Sequence, residues 1–460
     1  MLRKKSVYKG HFSTVKVVSL GFLGVIFIGS LLLWLPISNQ EPITYVDALF
    51  TAASAICVTG LVTVVPATQF SGFGKVILLI LIQIGGLGVV ACTTILLTLI
   101  SRKISMKERI VIKQAYNLEN LSGMVSFITR VIKITFAIQA LGVLFLLPQF
   151  IPVFGVGRGI WMSIYHSISA FCNADLNILG EANFLPFATS PLMNITVMSL
   201  VIMGGLGFTV WIDIIDNYKE IAKGKITRNH LLNRLSLQSK IVLTMSGTLI
   251  IFGAIMFLAL EFNNVGTIGD KSILERIMVS TFQSVTSRSG GFSTIPQENL
   301  TDASKMFSSV LMFIGGSPGS TAGGVKTTTV ALVILTSLSV LRGKHSVECY
   351  GRRIAPMIVK TGITIFSLYF MTLFIGAMTI TLLEPHLDFL DVWFETTSAI
   401  GTVGLSTGIT ANLSRASHGV LMVLMYLGRI GPVTAAMIFI GRAHRSEQAR
   451  ELPEKYIMIG

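Results

Sequence analysis

A short segment that recurs in every quarter of the chain constrains the fold more than any other feature. Its copies end at Gly60, Asp175, Gly291 and Gly404, and the spacings between them are 115, 116 and 113 residues. A quarter of the 460-residue chain is 115 residues. Self-similarity at a fixed period is typical of a repeated structural unit. We therefore predict four units, with boundaries at residues 1–110, 111–225, 226–345 and 346–460.

A glycine-containing motif follows each of these segments about 25 to 30 residues further along the chain. Two independent motifs with one period make a chance resemblance improbable. The copies of this second motif are Ile84–Gly88, Met203–Gly207, Ile314–Gly319 and Leu427–Gly431.

Long uncharged runs place the four units in a membrane. Only 13% of the residues are charged, against roughly 25% in soluble domains, and a helix that crosses the bilayer needs about 20 apolar residues. The uncharged runs are 17–40, 76–101, 134–157, 182–212, 241–260 and 361–383, and two interrupted runs are 306–341 and 416–441.

Shorter helical segments precede the first motif in each unit. At about ten to twelve residues they are too short to cross a bilayer, and acids such as Asp47, Glu275, Asp388 and Asp391 suit their N-termini. The fold class predicted is an all-α integral membrane protein, with eight transmembrane helices and four re-entrant half-helices in a pseudo-fourfold arrangement around one pore. The half-helices are 47–57, 160–171, 275–286 and 389–400.

The distribution of basic residues predicts the orientation. Five segments hold 25 of the 36 Lys and Arg residues, and with an even number of crossings they share one face. The positive-inside rule puts that face and both termini in the cytoplasm of a multi-pass protein of the cell membrane. This topology accounts for the net charge of +14 without a nucleic-acid partner. The five segments are 1–16, 101–126, 217–240, 342–360 and 442–460.

The loops after the half-helices are the candidate site. Non-helical backbone at membrane depth is tolerated only where it is buried in protein or lines water. Four such loops around one axis would point carbonyl oxygens and the negative ends of helix dipoles at the centre. That arrangement can replace the hydration shell of a monovalent cation. The alternative is that the four loops only fill the interior.

The motifs resemble those of the Trk/Ktr/HKT superfamily of potassium transporters, and the short tails resemble the Ktr-type membrane subunit. The segments that show this resemblance are 58–61, 286–292, 315–326, 401–405 and 428–432. The resemblance implies uptake of K⁺, with Na⁺ as a further candidate ion, through one pore per subunit of a homodimer. It also implies a ring of cytoplasmic nucleotide-binding regulatory subunits of Rossmann (RCK) type, with surrounding membrane lipid as the other partner.

The resemblance also assigns residues to a selectivity filter. A glycine at Gly60, Gly291 and Gly404 would allow positive φ and close approach of the backbone to an ion, and glycine at position 60 is similar to the potassium-selective branch. The residues assigned to the filter are Val58, Thr59, Gly60, Asn173, Ala174, Asp175, Ser289, Gly290, Gly291, Thr402, Val403 and Gly404.

Asp175 departs from the family pattern, which has glycine after Asn-Ala. Aspartate is one of the few non-glycine residues that tolerate left-handed backbone. Its carboxylate has three candidate fates: in the outer mouth, where it would concentrate cations; behind the filter, paired with a basic residue; or protonated. Each would affect selectivity for K⁺ over Na⁺ differently.

The second span of the third unit contains a stretch that is a poor helix former, since glycine and proline cost roughly 1 and 3 kcal/mol inside a helix. The equivalent stretches of the first two units are compatible with a continuous helix. We expect a mobile gating loop here, with a static kink as the alternative. Together with Arg429, the gate residues are Gly315, Gly316, Ser317, Pro318, Gly319, Ser320, Thr321, Ala322, Gly323 and Gly324.

Two arginines lie at membrane depth in this arrangement. Arg429 occupies the register position of three glycines, and an unpaired guanidinium there is costly. We expect it to line the inner pore and to donate hydrogen bonds to carbonyls of the gating loop, with a salt bridge behind the filter as the alternative. Arg288 is expected to brace the third loop from behind, against an acid of a half-helix.

Other function classes fit less well. An alternating-access carrier would show inverted repeats with paired broken helices, and an enzyme would need titratable residues gathered at one depth. The segment Gly319–Thr327 imitates a phosphate-binding loop but has an extra residue before the lysine. We therefore expect no enzymatic activity and no nucleotide on this chain. A less selective K⁺/Na⁺ pathway stays open.

Overall fold

Helices make up nearly all the regular structure in residues 14–88, 124–180, 182–224 and 231–432, which are the residues that the computed structural model describes. Two short strands, β1 (Glu348–Cys349) and β2 (Arg352–Arg353), pair antiparallel in one connection. The helices in chain order are α1 Thr14–Trp34, α2 Tyr45–Cys57, α3 Pro66–Gln69, α4 Gly72–Leu87, α5 Met124–Phe154, α6 Val156–Cys172, α7 Pro191–Gly205, α8 Phe208–Ala222, α9 Leu231–Arg234, α10 Leu237–Glu261, α11 Ile273–Thr286, α12 Asp302–Phe313, α13 Thr327–Leu341, α14 Pro356–Leu383, α15 Phe389–Gly401 and α16 Arg415–Ile430. Short 3₁₀ turns occupy Pro36–Ser38, Leu185–Phe187 and Thr410–Asn412.

Three of these helices, α5, α10 and α14, are long and apolar enough to cross a membrane, and α7 with α8 forms a broken fourth candidate. Large apolar side chains lie exposed on their outer faces, for example Phe370, Phe374 and Ile375 on α14. Such a surface suits lipid rather than water. The helical membrane fold is thus confirmed. The count of eight spans and the four unit boundaries stay predictions, since residues 89–123 and 433–460 lie outside the described ranges.

The four short helices form close to the predicted positions, as α2, α6, α11 and α15. Acids hold the N-termini of three of them. Asp47 lies in the first turn of α2, Ser272 and Glu275 form a capping box on α11, and Asp391 on α15 pairs with Lys305 at 2.9 Å. Negative charge near the first turn stabilises a helix. The longer α6 has no acid in its first turn.

A repeated N-cap that the sequence reading missed begins the helix after each loop. Ser71, Ser190, Thr301 and Ser414 each accept a hydrogen bond, 3.2 to 3.4 Å long, from the backbone N–H three residues later. Such caps satisfy one of the orphan donors of a helix start. Their spacings of 119, 111 and 113 residues follow the period of the motifs.

Buried acids tie two of these caps to the end of the preceding long helix. Glu384 accepts from the backbone N–H of Ser414 and from the hydroxyl of Ser417, both at 2.8 Å. Glu261 accepts from the N–H of Thr301 at 3.0 Å and from its hydroxyl at 2.7 Å. Each carboxylate therefore fixes the long helix to the one that follows the loop.

The structure corrects the expectation that only the third unit has a broken second span. Helix α7 ends at Gly205, and α8 leaves it at 97°. Gly88, Gly207 and Gly431, the last glycines of the second motif, have φ of +83°, +94° and +92° with ψ of 140°, 138° and 134°. Only glycine adopts that backbone without strain. The motif glycines therefore end the helix in these units as well.

The tie at Glu384 gives a prediction about stability. Glu384→Ala leaves the N–H of Ser414 and the hydroxyl of Ser417 without their acceptor, which costs about 1–3 kcal/mol. The apparent melting temperature of the detergent-solubilised protein should fall. Glu298→Ala is the matched control because Glu298 is exposed, and it should change the melting temperature little. Equal melting temperatures for the wild type and both variants would show that the hydrogen bonds to Glu384 do not stabilise the protein.

Candidate functional site

Each short helix is followed by a loop in which two residues, separated by one, have positive φ. The first of these residues are Val58, Asn173, Ser289 and Thr402, with φ of +59°, +62°, +69° and +49°. The second are Gly60, Asp175, Gly291 and Gly404, with φ of +99°, +48°, +76° and +100°. The left-handed region is rare for non-glycine residues. Its recurrence at matching positions shows that the four loops share one backbone course.

Hydroxyl side chains of the short helices hold these loops in place. The hydroxyl of Ser54 accepts a hydrogen bond from the N–H of Gly60 at 3.0 Å, and that of Ser398 accepts from Gly404 at 3.1 Å. In the third loop the carbonyl of Thr286 accepts from both Gly290 and Gly291 instead. Satisfied N–H groups leave the carbonyl side of these three loops as their free polar face.

The four loops meet edge to edge. A Cβ atom built on Gly60 would lie 2.9 Å from the carbonyl oxygen of Ala174 in the second loop, closer than real Cβ contacts. Two further glycines stand equally close to a carbonyl of a neighbouring loop. The three pairs are Gly60 with Ala174, Gly404 with Thr59, and Gly291 with Val403. Contact between Asp175 and Gly291 closes the ring between the second and third loops.

Oxygen atoms without partners line this ring. Within the described part of the chain, the carbonyls of Thr59, Ala174, Gly290 and Val403 accept no hydrogen bond. The buried hydroxyls of Thr59 and Thr402 also lack a partner among those residues. Buried polar groups are normally paired. The ring is therefore a set of oxygen ligands that the protein itself leaves unsatisfied.

Asp175 lies inside the ring rather than behind it. Its side chain approaches the positions that Cβ atoms on Gly60, Gly291 and Gly404 would occupy. The residue is 6% exposed. The side-chain amide nitrogen of Asn183 donates to Oδ1 of Asp175 over 3.5 Å.

The stretch of residues 315–324 is a buried loop that the first two units lack in the described ranges. The N–H of Ser317 donates to the carbonyl of Gly205 at 3.0 Å, and the N–H of Thr321 donates to that of Gly204 at 3.2 Å. In return, the N–H of Phe208 donates to the carbonyl of Gly319 at 2.9 Å. The loop therefore fills the break between α7 and α8 and satisfies the backbone groups exposed there.

The same loop contacts the ends of two short helices. The hydroxyl of Thr321 donates to the carbonyl of Phe171 at 3.2 Å and lies 3.3 Å from Oδ1 of Asn173. A Cβ atom on Gly323 would collide with Thr402. The loop lies directly against the residues that begin the second and fourth ring loops.

Two basic side chains donate to this loop. Arg429 on α16 donates to the carbonyl of Thr321 and also to that of Gly85 at the end of α4. Lys326 donates to the carbonyl of Ala322 at 2.7 Å. Arg429 therefore connects the loop to elements of the first and fourth units.

Arg288 braces a different helix from the one expected. Its guanidinium donates to the carbonyl of Ser246 on α10 at 3.2 Å and lies 3.4 Å from its hydroxyl. The partner is thus a backbone carbonyl, and the expected acid is not among the ion pairs found in the described residues. The carbonyl of Ser246 gives the guanidinium a neutral acceptor.

The first glycine of the second motif recurs because it packs against the end of a short helix in three of the units. A Cβ atom on any of three such glycines would collide with the carbonyl of a residue near the end of a short helix. Small residues allow close approach of helices. The pairs are Gly85 with Ile56, Gly204 with Phe171, and Gly428 with Ile400.

Comparisons with known proteins identify the class of fold and then the family. A family model described as a cation transport protein, TrkH, matches residues 8–448. The potassium/sodium uptake protein NtpJ of Enterococcus hirae is 36% identical over 100% of both chains. The Ktr system potassium uptake protein B of Bacillus subtilis is 36% identical over 95% of this chain and 96% of its own.

A solved structure agrees in fold. The potassium transporter TrkH from Vibrio parahaemolyticus aligns with a TM-score of 0.73 and 17% identity, over 95% of this chain and 86% of that one. The fold and loops describe a multi-pass membrane protein of the transporter class. The chain belongs to the TrkH family of cation transport proteins, and so to transporters rather than enzymes.

The contacts of Arg429 give a prediction about the loop. Arg429→Gln removes the charged donor to Thr321 and Gly85, and charge-assisted hydrogen bonds are about twice as strong as neutral ones. Amide hydrogen exchange in residues 315–324 should become faster. Arg415→Gln, an exposed arginine at the start of the same helix, should leave it unchanged. Equal exchange in both variants would show that Arg429 does not hold the loop.

Proposed function

We propose that this chain takes up K⁺ across the cell membrane through a pore enclosed by four filter loops, defined as residues 58–60, 173–175, 289–291 and 402–404. The observation that carries the proposal is the closed ring of oxygen atoms without hydrogen-bond partners. An ion that sheds its water needs such ligands. The hydroxyls of Thr59 and Thr402 add to the carbonyls.

The membrane potential drives this uptake. It supplies about 2.3 kcal/mol per charge for each 100 mV. Since about 1.4 kcal/mol corresponds to a factor of ten, 100 mV would accumulate K⁺ roughly fiftyfold without ATP hydrolysis.

We infer that the loop of residues 315–324 is the gate. Its Thr321 contacts Phe171 and its Gly323 contacts Thr402, so the loop lies against the second and fourth filter loops, which supports this role. Arg429 and Lys326 hold it by donating to its carbonyls. Opening the pore would break these hydrogen bonds, and the basic side chains would then face the ion path.

A less selective K⁺/Na⁺ pathway is the second candidate, favoured by one observation. Asp175 replaces one of the four equivalent glycines and puts a carboxylate on the axis. The relative from Enterococcus hirae is named for potassium and sodium uptake. An alternating-access carrier is less consistent, since the four loops follow one backbone course and converge at a single ring.

The remaining features of the proposal concern topology and assembly. The four units are residues 1–110, 111–225, 226–345 and 346–460, with both termini in the cytoplasm. The chain would form a homodimer that a cytoplasmic ring of nucleotide-binding subunits regulates. Two relatives are components of Ktr systems, which supports a partner of this kind. Three of the five basic segments that predict the orientation lie mostly outside the described residues.

Rubidium flux into proteoliposomes tests the pore. Gly404→Arg places a cation in the ring where Gly404 meets Thr59, so uptake should be abolished. Ala411→Arg adds the same charge at an exposed position of the same unit and should keep wild-type flux. Both variants must elute as single species on size exclusion. Normal flux through Gly404→Arg would refute the pore assignment.

Shortening the loop tests the gate. The ends of the loop meet, since Ile314 pairs with Val325 and the N–H of Thr327 donates to the carbonyl of Gly316 at 3.1 Å. Deleting residues 317–323 should therefore spare the fold and raise basal rubidium flux. Adding Gly404→Arg to the deletion should silence that flux. A deletion that leaves flux unchanged would argue against a gate.

A further inference from the structure

The carboxylate of Asp175 is a buried charge without a basic partner. The residue is 6% exposed, and none of the ion pairs found in the described residues includes it. Its Oδ1 has a single long contact with Asn183, and no hydrogen bond to Oδ2 is found among those residues. A buried charge is costly unless it is paired. Either a proton or a cation from outside the chain must therefore neutralise this carboxylate.

The surroundings of the carboxylate favour a metal cation. A Cβ atom on Gly404 would lie 3.0 Å from Oδ2, which places that oxygen against the fourth filter loop. The amide oxygen of Asn183 is buried without a partner in the described ranges. Carboxylate, amide and carbonyl oxygens together are the ligands that hard cations such as Ca²⁺ prefer.

A formal charge in the ring changes which cation it prefers. Ligands that are all neutral carbonyls suit a monovalent ion in place of its water. Attraction to a fixed carboxylate scales with the charge of the ion, so a divalent ion gains twice as much as K⁺ at equal distance. The glycines at the three other register positions add no such charge.

We propose that Asp175, with Asn183 and the neighbouring filter carbonyls, forms a site for an alkaline-earth cation of the Ca²⁺ class, which competes with K⁺ in the filter. The inference rests on the proposed function. It makes this filter one that external divalent cations block, because a bound ion occupies the ring through which K⁺ would pass.

Rubidium uptake in a series of external CaCl₂ concentrations tests the block. Asp175→Asn keeps the shape and removes the charge, and Asp175→Gly restores the glycine of the other loops. Both should need a concentration of Ca²⁺ that is higher by about tenfold or more for half inhibition. Asp388→Asn, which removes an exposed acid at the N-cap of α15, should behave as wild type. Equal sensitivity of wild type and both Asp175 variants would overturn the site.

Calorimetric titration of the purified chain with CaCl₂ in K⁺-free buffer gives an answer that needs no flux. Wild type should bind one Ca²⁺ per chain, added K⁺ should weaken the binding, and Asp175→Asn should lose it. Absence of binding that depends on Asp175 would overturn the site even if rubidium flux is normal. Absent rubidium flux with intact Ca²⁺ binding would instead count against the proposed uptake function.

Discussion

Backbone that leaves the helix inside a membrane protein must find partners for its polar groups, and this requirement organises the whole molecule. In three of the four loops the N–H group of the register glycine is held by the preceding short helix, as in the bond from Gly60 to Ser54. The carbonyls of the same loops are left over and gather on the axis. Positive φ at matching positions of all four loops is the backbone condition for that arrangement. In the proposed function, those leftover acceptors line the cation pathway.

The third unit applies the same requirement differently. In the other units, a glycine of the second motif lies against the end of a short helix, as Gly428 does against Ile400. In the third unit an inserted loop follows the second motif and donates hydrogen bonds to the carbonyls of Gly204 and Gly205 in the second unit. The bonds between backbone groups are neutral and individually modest, and the donation from Arg429 is charge-assisted and stronger. Together they hold in place the loop that we propose as the gate.

The sequence predicts those features of this structure that neighbouring residues determine, and it predicts poorly those that contacts between distant residues determine. The short helices and the positions of the loops that follow them could be predicted, because acids at helix starts and a 115-residue period are visible in the chain. The breaks at Gly88 and Gly207 were missed, since glycine also packs helices and its sign of φ is set by tertiary context. The partner of Arg288 was wrong for a similar reason: the nearest acceptor, the carbonyl of Ser246, lies 42 residues away.

Asp175 shows that the repeated loops tolerate a side chain at one position where the other three have glycine. Aspartate fits the backbone because φ of +48° is open to it. The other three loops could not carry a side chain at the equivalent position, because even a Cβ atom on Gly60, Gly291 or Gly404 would collide with a neighbouring loop. The ring therefore has room for one side chain, and that side chain carries a charge. In the filter that we propose, any cation would interact with the carboxylate, so affinity and selectivity would depend on a single residue of one unit.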